Sequence, residues 1–255
     1  MFTFIIIFNN TSHISAQIIR FHSYSFCISD LWYCWLWKMS GVKFYLFCYN
    51  SLQFLGWSTL LLLIILHFQD GGTTANLYAS VHLTLQIFQT GAVLEILHAA
   101  TGLVRSSVQV TLQQVFSRVY ITWAILYLLP PARLSVGVLM LLFAWTITEM
   151  IRYSMYAIQL VTTPPYFLTW LRYTFFIIAY PVGVTGELLC SFAGLQYAAK
   201  TGLFSYSLPN MINATFSFPL VIGGIMLLYI PLFPPMYLHM FSQRKKVLGM
   251  SEKQE

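Results

Sequence analysis

Long apolar stretches dominate the chain, and short polar or helix-breaking clusters separate them. Read by length, they predict about six membrane-spanning helices, at 44–66, 81–102, 111–129, 135–160, 166–192 and 218–240. Gly71-Gly72 separates the first two, Pro130-Pro131 the third and fourth, and Pro164-Pro165 the fourth and fifth. Glycine and proline break helices, and here they fall where a chain threading the bilayer has to turn. The longest connection, near 195–215, holds Lys200, Gly202 and Pro209. Backbone in lipid must satisfy its own hydrogen bonds, which leaves helices or closed barrels. The apolar runs are far longer than the roughly 10-residue strands of a barrel. The expected fold is therefore all-α, a polytopic membrane bundle in one domain covering 39–243.

Residues 1–38 fit this plan less well. Met1 to Phe8 is apolar but lacks the basic flank of a signal peptide. The aromatic run Leu31 to Trp37 suits a membrane interface. Met39-Ser40-Gly41 reads as an alternative start, so 1–38 is expected to be an extension dispensable for activity. Residues 244–255 are expected to form a basic tail. Lys38, Lys43, Arg105 and the cluster Arg244, Lys245 and Lys246 fall on one side of a six-span path, with Arg133 and Lys200 opposite. That bias predicts both termini in the cytoplasm. The sequon at Asn213 would then be lumenal, and those at Asn9 and Asn10 would not be glycosylated.

Composition supports the membrane reading. Hydrophobic residues make up 58% of the 255 and charged residues 8%, against about 25% charged in a soluble domain. The net charge of +6 comes from scattered basic residues, so it is no sign of a nucleic-acid partner. Cys27, Cys34, Cys48 and Cys190 show no metal-binding or disulfide spacing.

The informative residues are the charges that lipid disfavours. Of seven acidic residues, Glu95, Glu149 and Glu187 fall inside spans. Each costs about 2.5–3.5 kcal/mol at the bilayer centre even on the lenient insertion scale, so each needs a partner or a function. Glu149 and Arg152 stand three apart and can pair on one helical face, with Trp145, Tyr153 and Tyr156 close to that face. Glu95 and His98 are also three apart. One such pair is too few ligands for a metal centre, and His67, His82 and His239 are isolated. Glu95 and His98 are instead expected to be buried hydrogen-bonding partners, with Arg105 or Arg118 in reach across helices. The order His98, Arg105-Ser106 is reminiscent of a tyrosine-phosphatase loop, but Ala99 stands where its thiolate nucleophile must be.

Glu187 closes the run Tyr180-Pro181-Val182-Gly183-Val184-Thr185-Gly186-Glu187. Seven residues return it to nearly the face of Tyr180, about 10 Å along the axis. The two could flank a substrate laid along the helix, or belong to an aromatic packing stripe that Tyr173 continues. Gly183 and Gly186 leave room for a close neighbour.

These segments together resemble the very-long-chain 3-hydroxyacyl-CoA dehydratases, also known as tyrosine-phosphatase-like proteins. The resemblance rests on Trp145-Thr146-Ile147-Thr148-Glu149-Met150-Ile151-Arg152-Tyr153-Ser154, Trp170-Leu171-Arg172-Tyr173-Thr174 and Tyr180-Pro181 through Gly186-Glu187. Gln89 to His98, Ser117-Arg118, Leu208-Pro209-Asn210 and Gln243 to Lys246 agree as well. It covers roughly residues 42–250. The resemblance implies a six-span protein of the endoplasmic reticulum that removes water from a long-chain 3-hydroxyacyl-CoA, giving the trans-2-enoyl-CoA in the third step of fatty-acid elongation. It implies Tyr180 and Glu187 as the catalytic pair, and fatty-acid elongases and the enoyl reductase of the cycle as partners. Glu149, Arg152, Tyr153, Arg172 and Tyr173 are candidates for binding or supporting roles.

One positioned acid and one base suffice for such an elimination, so no metal or redox cofactor is expected; the substrate is carried as a coenzyme A thioester. Tyrosine, with an ordinary pKa near 10, is a poor base unless a cation stabilises its anion. Arg152 and Arg172 are candidates for that cation, and the residues leave open which of Tyr180 and Glu187 is the base. Arg172, near the cytoplasmic end of its span, is a candidate to meet the coenzyme A phosphates. A non-catalytic membrane scaffold and a proton-coupled transporter are the competing readings. A scaffold would not need Tyr180 or Glu187, and a transporter would show flux without product.

Overall fold

The computed structural model describes residues 40–205 and 215–251. The expected extension 1–38, with Asn9 and Asn10, lies outside the described residues, as do Leu208-Pro209-Asn210, Asn213 and the last four residues. The chain divides into two compact units, 1–46 and 47–255. Of the first, only the opening turns of a helix are described.

The described chain is helical throughout and forms no strand: α1 Gly41–Gln69, α2 Leu77–Gly91, α3 Leu94–Ala100, α4 Val108–Tyr120, α5 Pro130–Arg133, α6 Gly137–Val161, α7 Tyr166–Arg172, α8 Phe176–Thr201 and α9 Phe218–Ser251. A π-helical segment, Ile121–Tyr127, continues α4. Among the described residues, four stretches are long and apolar enough to cross a bilayer: Gly41–Gln69, Gly137–Val161, Tyr166–Thr201 and Phe218–Gly249. The second and third expected spans are helical but segmented. The first breaks at Ala92–Val93, between α2 and α3. The other widens into the π turn, where Arg133 donates to the carbonyls of Leu126 (2.7 Å) and Tyr127 (2.5 Å) and satisfies that helix end.

The expected turns are where the helices stop. Pro130 and Pro131 open α5, where a missing N–H costs nothing. Gly202, at φ 64°, closes α8 in the left-handed conformation that a side chain would disfavour.

Helix α6 is the most buried of the four spanning stretches and α9 the least. The most extensive helix contact in the molecule joins α6 and α8. A Cβ on Gly186 would come within 2.7 Å of Gly137 O and Leu141 N, and one on Gly183 within 3.3 Å of the Ala144 Cβ. The glycines noted in the sequence therefore bring two backbones together, as small residues do between membrane helices. Around this crossing a continuous core includes Trp57, Leu85, Ile125, Leu129 and Leu142.

Pro181 lies within α8 without ending it. Pro181 has no N–H to give the carbonyl of Ile177, and the Tyr237 hydroxyl donates to that carbonyl instead (3.0 Å). Helix α9 contains Pro231, Pro234 and Pro235 and still runs to Ser251, beyond the expected end near 240. The cluster Arg244 to Lys246 is therefore carried on a helix.

Candidate active site

Two of the three intramembrane carboxylates belong to a neutral network. The expected pair forms: Arg152 Nε donates to Glu149 Oε2 at 2.7 Å. Arg118, from α4, forms an ion pair with the other oxygen of Glu149. The terminal nitrogens of Arg152 reach α3 and grip Glu95 at 2.6 and 2.9 Å. The Tyr153 hydroxyl donates to Glu95 and accepts from Arg152 at 2.9 Å. Two carboxylates thus meet two guanidiniums, which removes the cost of burying either sign alone.

This corrects the expected cation of Glu95, which is Arg152 rather than Arg105 or Arg118. The buried His98 ring packs edge-on against Tyr49 at 4.9 Å. Helical spacing shows which residues share a face but not which helix that face meets. Among the described residues no three His, Cys, Asp or Glu side chains cluster as a metal site.

Glu187 stands apart from that network. It is buried on α8, and both its oxygens accept hydrogen bonds from uncharged groups: Oε1 from Trp145 Nε1 at 2.9 Å, Oε2 from the Tyr229 hydroxyl at 2.7 Å. No ion pair reaches it among the described residues. An indole N–H can only donate, so Oε1 is held as an acceptor. Oε2 is the better seat for a proton on Glu187, because the Tyr229 hydroxyl beside it can also accept. The Gly186 crossing fixes α8 against the helix that bears Trp145, and the Arg118 guanidinium covers that indole 5.7 Å from its centroid.

A cavity of about 240 Å³ opens between α4, α6, α8 and α9, with a largely apolar wall. Glu187, Tyr180 and Arg172 line it from α8 and the α7 end that leads into it, Glu149 and Arg152 from α6. The Tyr180 ring sits between Phe176 and Tyr237, with centroids 5.7 and 6.4 Å away. Tyr180 Oη has no hydrogen-bond partner among the described residues. Arg172 donates to the Tyr156 hydroxyl (3.1 Å), lies 5.2 Å over that ring and has no carboxylate partner among the described residues.

Of the seven residues singled out from sequence, these five share the cavity. Tyr153 is buried against Glu95, outside the cavity wall, and Tyr173 sits at the α7–α8 junction, also outside it. The two groups that clamp Glu187 are not marked as its partners by the sequence. Spacing puts Trp145 on the face of Glu149, and Tyr229 lies in a span without a charge to draw notice. Its only sequence signal is a hydroxyl in an apolar helix, which has to find a partner when buried.

Residues 89–250 match the family model described as "Protein tyrosine phosphatase-like protein, PTPLA". The chain is 48% identical to the Caenorhabditis elegans very-long-chain (3R)-3-hydroxyacyl-CoA dehydratase hpo-8, over 84% of this chain and 99% of that one. It is 45% identical to Mus musculus very-long-chain (3R)-3-hydroxyacyl-CoA dehydratase 2, over 82% of each. A plant relative, very-long-chain (3R)-3-hydroxyacyl-CoA dehydratase PASTICCINO 2 of Arabidopsis thaliana, is 38% identical over 83% of this chain and 96% of its own. No solved structure matches. With the family match covering most of the helical domain and the dehydratases matching nearly end to end, the chain belongs to the protein tyrosine phosphatase-like family, PTPLA.

Proposed function

We propose that this protein dehydrates very-long-chain (3R)-3-hydroxyacyl-CoA to trans-2-enoyl-CoA, the third step of fatty-acid elongation. The observation that carries this reading is the pair Tyr180 and Glu187 on one wall of an apolar cavity. Every other intramembrane carboxylate is neutralised by arginine, so Glu187 is the one left for proton transfer. The dehydratase names of the relatives supply the substrate class.

The elimination breaks two bonds. A base takes the proton from the carbon beside the thioester, and that C–H electron pair becomes the new double bond. The C–O bond at the next carbon breaks, and an acid protonates the departing oxygen so that water leaves. Both partners of Glu187 donate to it, which suits the carboxylate form and supports a role as the base. Tyr180 holds an O–H with no acceptor among the described residues, which supports a role as the acid. Oxidation level is unchanged overall, so the proposed reaction needs no redox cofactor, and one positioned acid with one base suffices for it without a metal.

The four long apolar helices support a multi-pass membrane protein, and a role in fatty-acid elongation fits the endoplasmic reticulum membrane. There it would work between the elongases and reductase that form its substrate and the enoyl reductase that consumes its product. The basic bias of the sequence favours both termini in the cytoplasm.

The test is conversion of a long-chain 3-hydroxyacyl-CoA by purified protein in liposomes. Wild type should turn over, and Tyr180→Phe should lose about 100-fold or more in kcat, the usual worth of a general acid, while keeping its melting temperature. An inert but well-folded wild type would leave only the scaffold reading. Tyr229→Phe is a subtler probe. It removes one bond to an ionised group, about 1.5–3 kcal/mol, and should lower kcat by about 10- to 100-fold with KM nearly unchanged. An unchanged kcat would show that Tyr229 only packs.

A further inference from the structure

The antiparallel pair α8 and α9 keeps one register along the cavity. Glu187 meets Tyr229, Tyr180 meets Tyr237 (6.4 Å between rings), and Phe176 meets Phe241 (5.1 Å). Backbone hydrogen bonding continues through the α7–α8 junction, with Phe175 N bonded to Leu171 O at 2.9 Å. One further turn along this register brings Arg172 level with Arg244. Met236 and Met240 line the cavity from α9, and Arg244 follows Met240 by four residues, on the same face. Arg172 lines the end of the cavity remote from Glu187, and the register carries Arg244 to the same level, one turn beyond the lining residue Met240.

Neither forms an ion pair among the described residues. Arg172 bonds a neutral hydroxyl and has no carboxylate among the described residues. Arg244 is half-buried, and its Nε, shielded from solvent, has no acceptor. Buried donors are nearly always paired, and an orphan on a charged group points to a missing acceptor. Lys245 and Lys246 follow directly, exposed on the same helix. Guanidinium groups are the usual partners of phosphate oxygens.

Distance selects the ligand. Along the axis the level of Arg172 lies about 12 Å from Tyr180 and about 22 Å from Glu187. The pantetheine arm between the diphosphate and the sulfur of coenzyme A has the backbone length of about four extended residues, or about 14 Å. A diphosphate held at the two arginines would place the thioester just past Tyr180, on the way to Glu187.

We propose that Arg172 and Arg244 form the diphosphate subsite of a coenzyme A thioester, with the pantetheine arm lying along α8 and α9. This rests on the dehydratase reading and names how its substrate is held. The experiment compares the coenzyme A thioester of a 3-hydroxy acid with its pantetheine thioester, which lacks the phosphates. Arg244→Gln should raise KM for the former about tenfold or more, and leave kcat and all constants for the latter within about twofold. Arg172→Gln/Arg244→Gln should raise it further, and Arg244→Lys should recover part of the loss. Equal effects on both thioesters, or none, would overturn the subsite.

Binding of free coenzyme A to wild type and Arg244→Gln separates this from the reaction itself. A tenfold weaker affinity in the variant supports the subsite even if no preparation turns over. Zwitterionic and anionic nanodiscs distinguish the source of phosphate. An Arg244→Gln effect seen only in the anionic discs would assign the arginines to lipid headgroups and end the proposal.

Discussion

Glu187→Gln is expected to abolish turnover, by about 100- to 10,000-fold in kcat, the range over which a positioned proton-transfer group acts. The substitution is close to isosteric. The Trp145 N–H can still donate to the amide oxygen, and the Tyr229 hydroxyl can turn to accept from the amide nitrogen. The α6–α8 crossing at Gly186 is untouched, so the protein should fold and melt normally. What disappears is the ability to take a proton. The check is kcat on a long-chain 3-hydroxyacyl-CoA beside a melting curve in the same detergent. A variant keeping more than about a tenth of wild-type kcat would remove Glu187 from the chemistry, since proton-transfer groups contribute more than that.

The largest loss of stability is expected from Arg152→Leu. Arg152 is the cation that Glu95 bonds twice and a partner of Glu149. Removing it leaves Glu149 with Arg118 but strands Glu95 with hydroxyl groups, in a place where water does not replace the lost charge. Breaking a buried pair this way costs about 3–5 kcal/mol, a large share of the roughly 5–15 kcal/mol by which domains are stable. The yield of monodisperse protein and its melting temperature should both fall sharply. The double variant Arg152→Leu/Glu95→Leu removes one charge of each sign and keeps the Arg118–Glu149 pair, so it should recover much of the loss. A double variant no better than the single one would show that packing of the arginine stem, not charge, holds these helices.

Much of this architecture is legible in the sequence because its signals are local. Apolar runs of membrane length, Pro130-Pro131 at a turn, and Glu149 three residues before Arg152 can all be read along one stretch of chain. So can the seven-residue step from Tyr180 to Glu187 that puts both on one cavity wall. The rest depends on which helix lies opposite, and periodicity does not carry that. Proximity in the chain matches Glu95 to Arg105 or Arg118, but it bonds Arg152 on α6. Trp145 and Tyr229 carry no charge and sit 42 residues either side of Glu187. The apolar run of α9 suggests an end near 240, but the helix runs through three prolines to Ser251. A membrane helix tolerates proline when neighbours re-satisfy the freed groups, as Tyr237 does for the Ile177 carbonyl on α8.

The neutral network also dictates an order of assembly. Helices α2 to α4 are not among the four stretches apolar enough to cross a bilayer, and two of their charges, Glu95 and Arg118, find their counter-ions only on α6. While the chain is being synthesised, Glu95 and Arg118 emerge well before Glu149 and Arg152 exist to receive them. Unlike α1, which is apolar enough to cross a bilayer by itself, α3 and α4 therefore gain charge balance only once α6 packs against them, which makes α6 the keystone of the folded bundle.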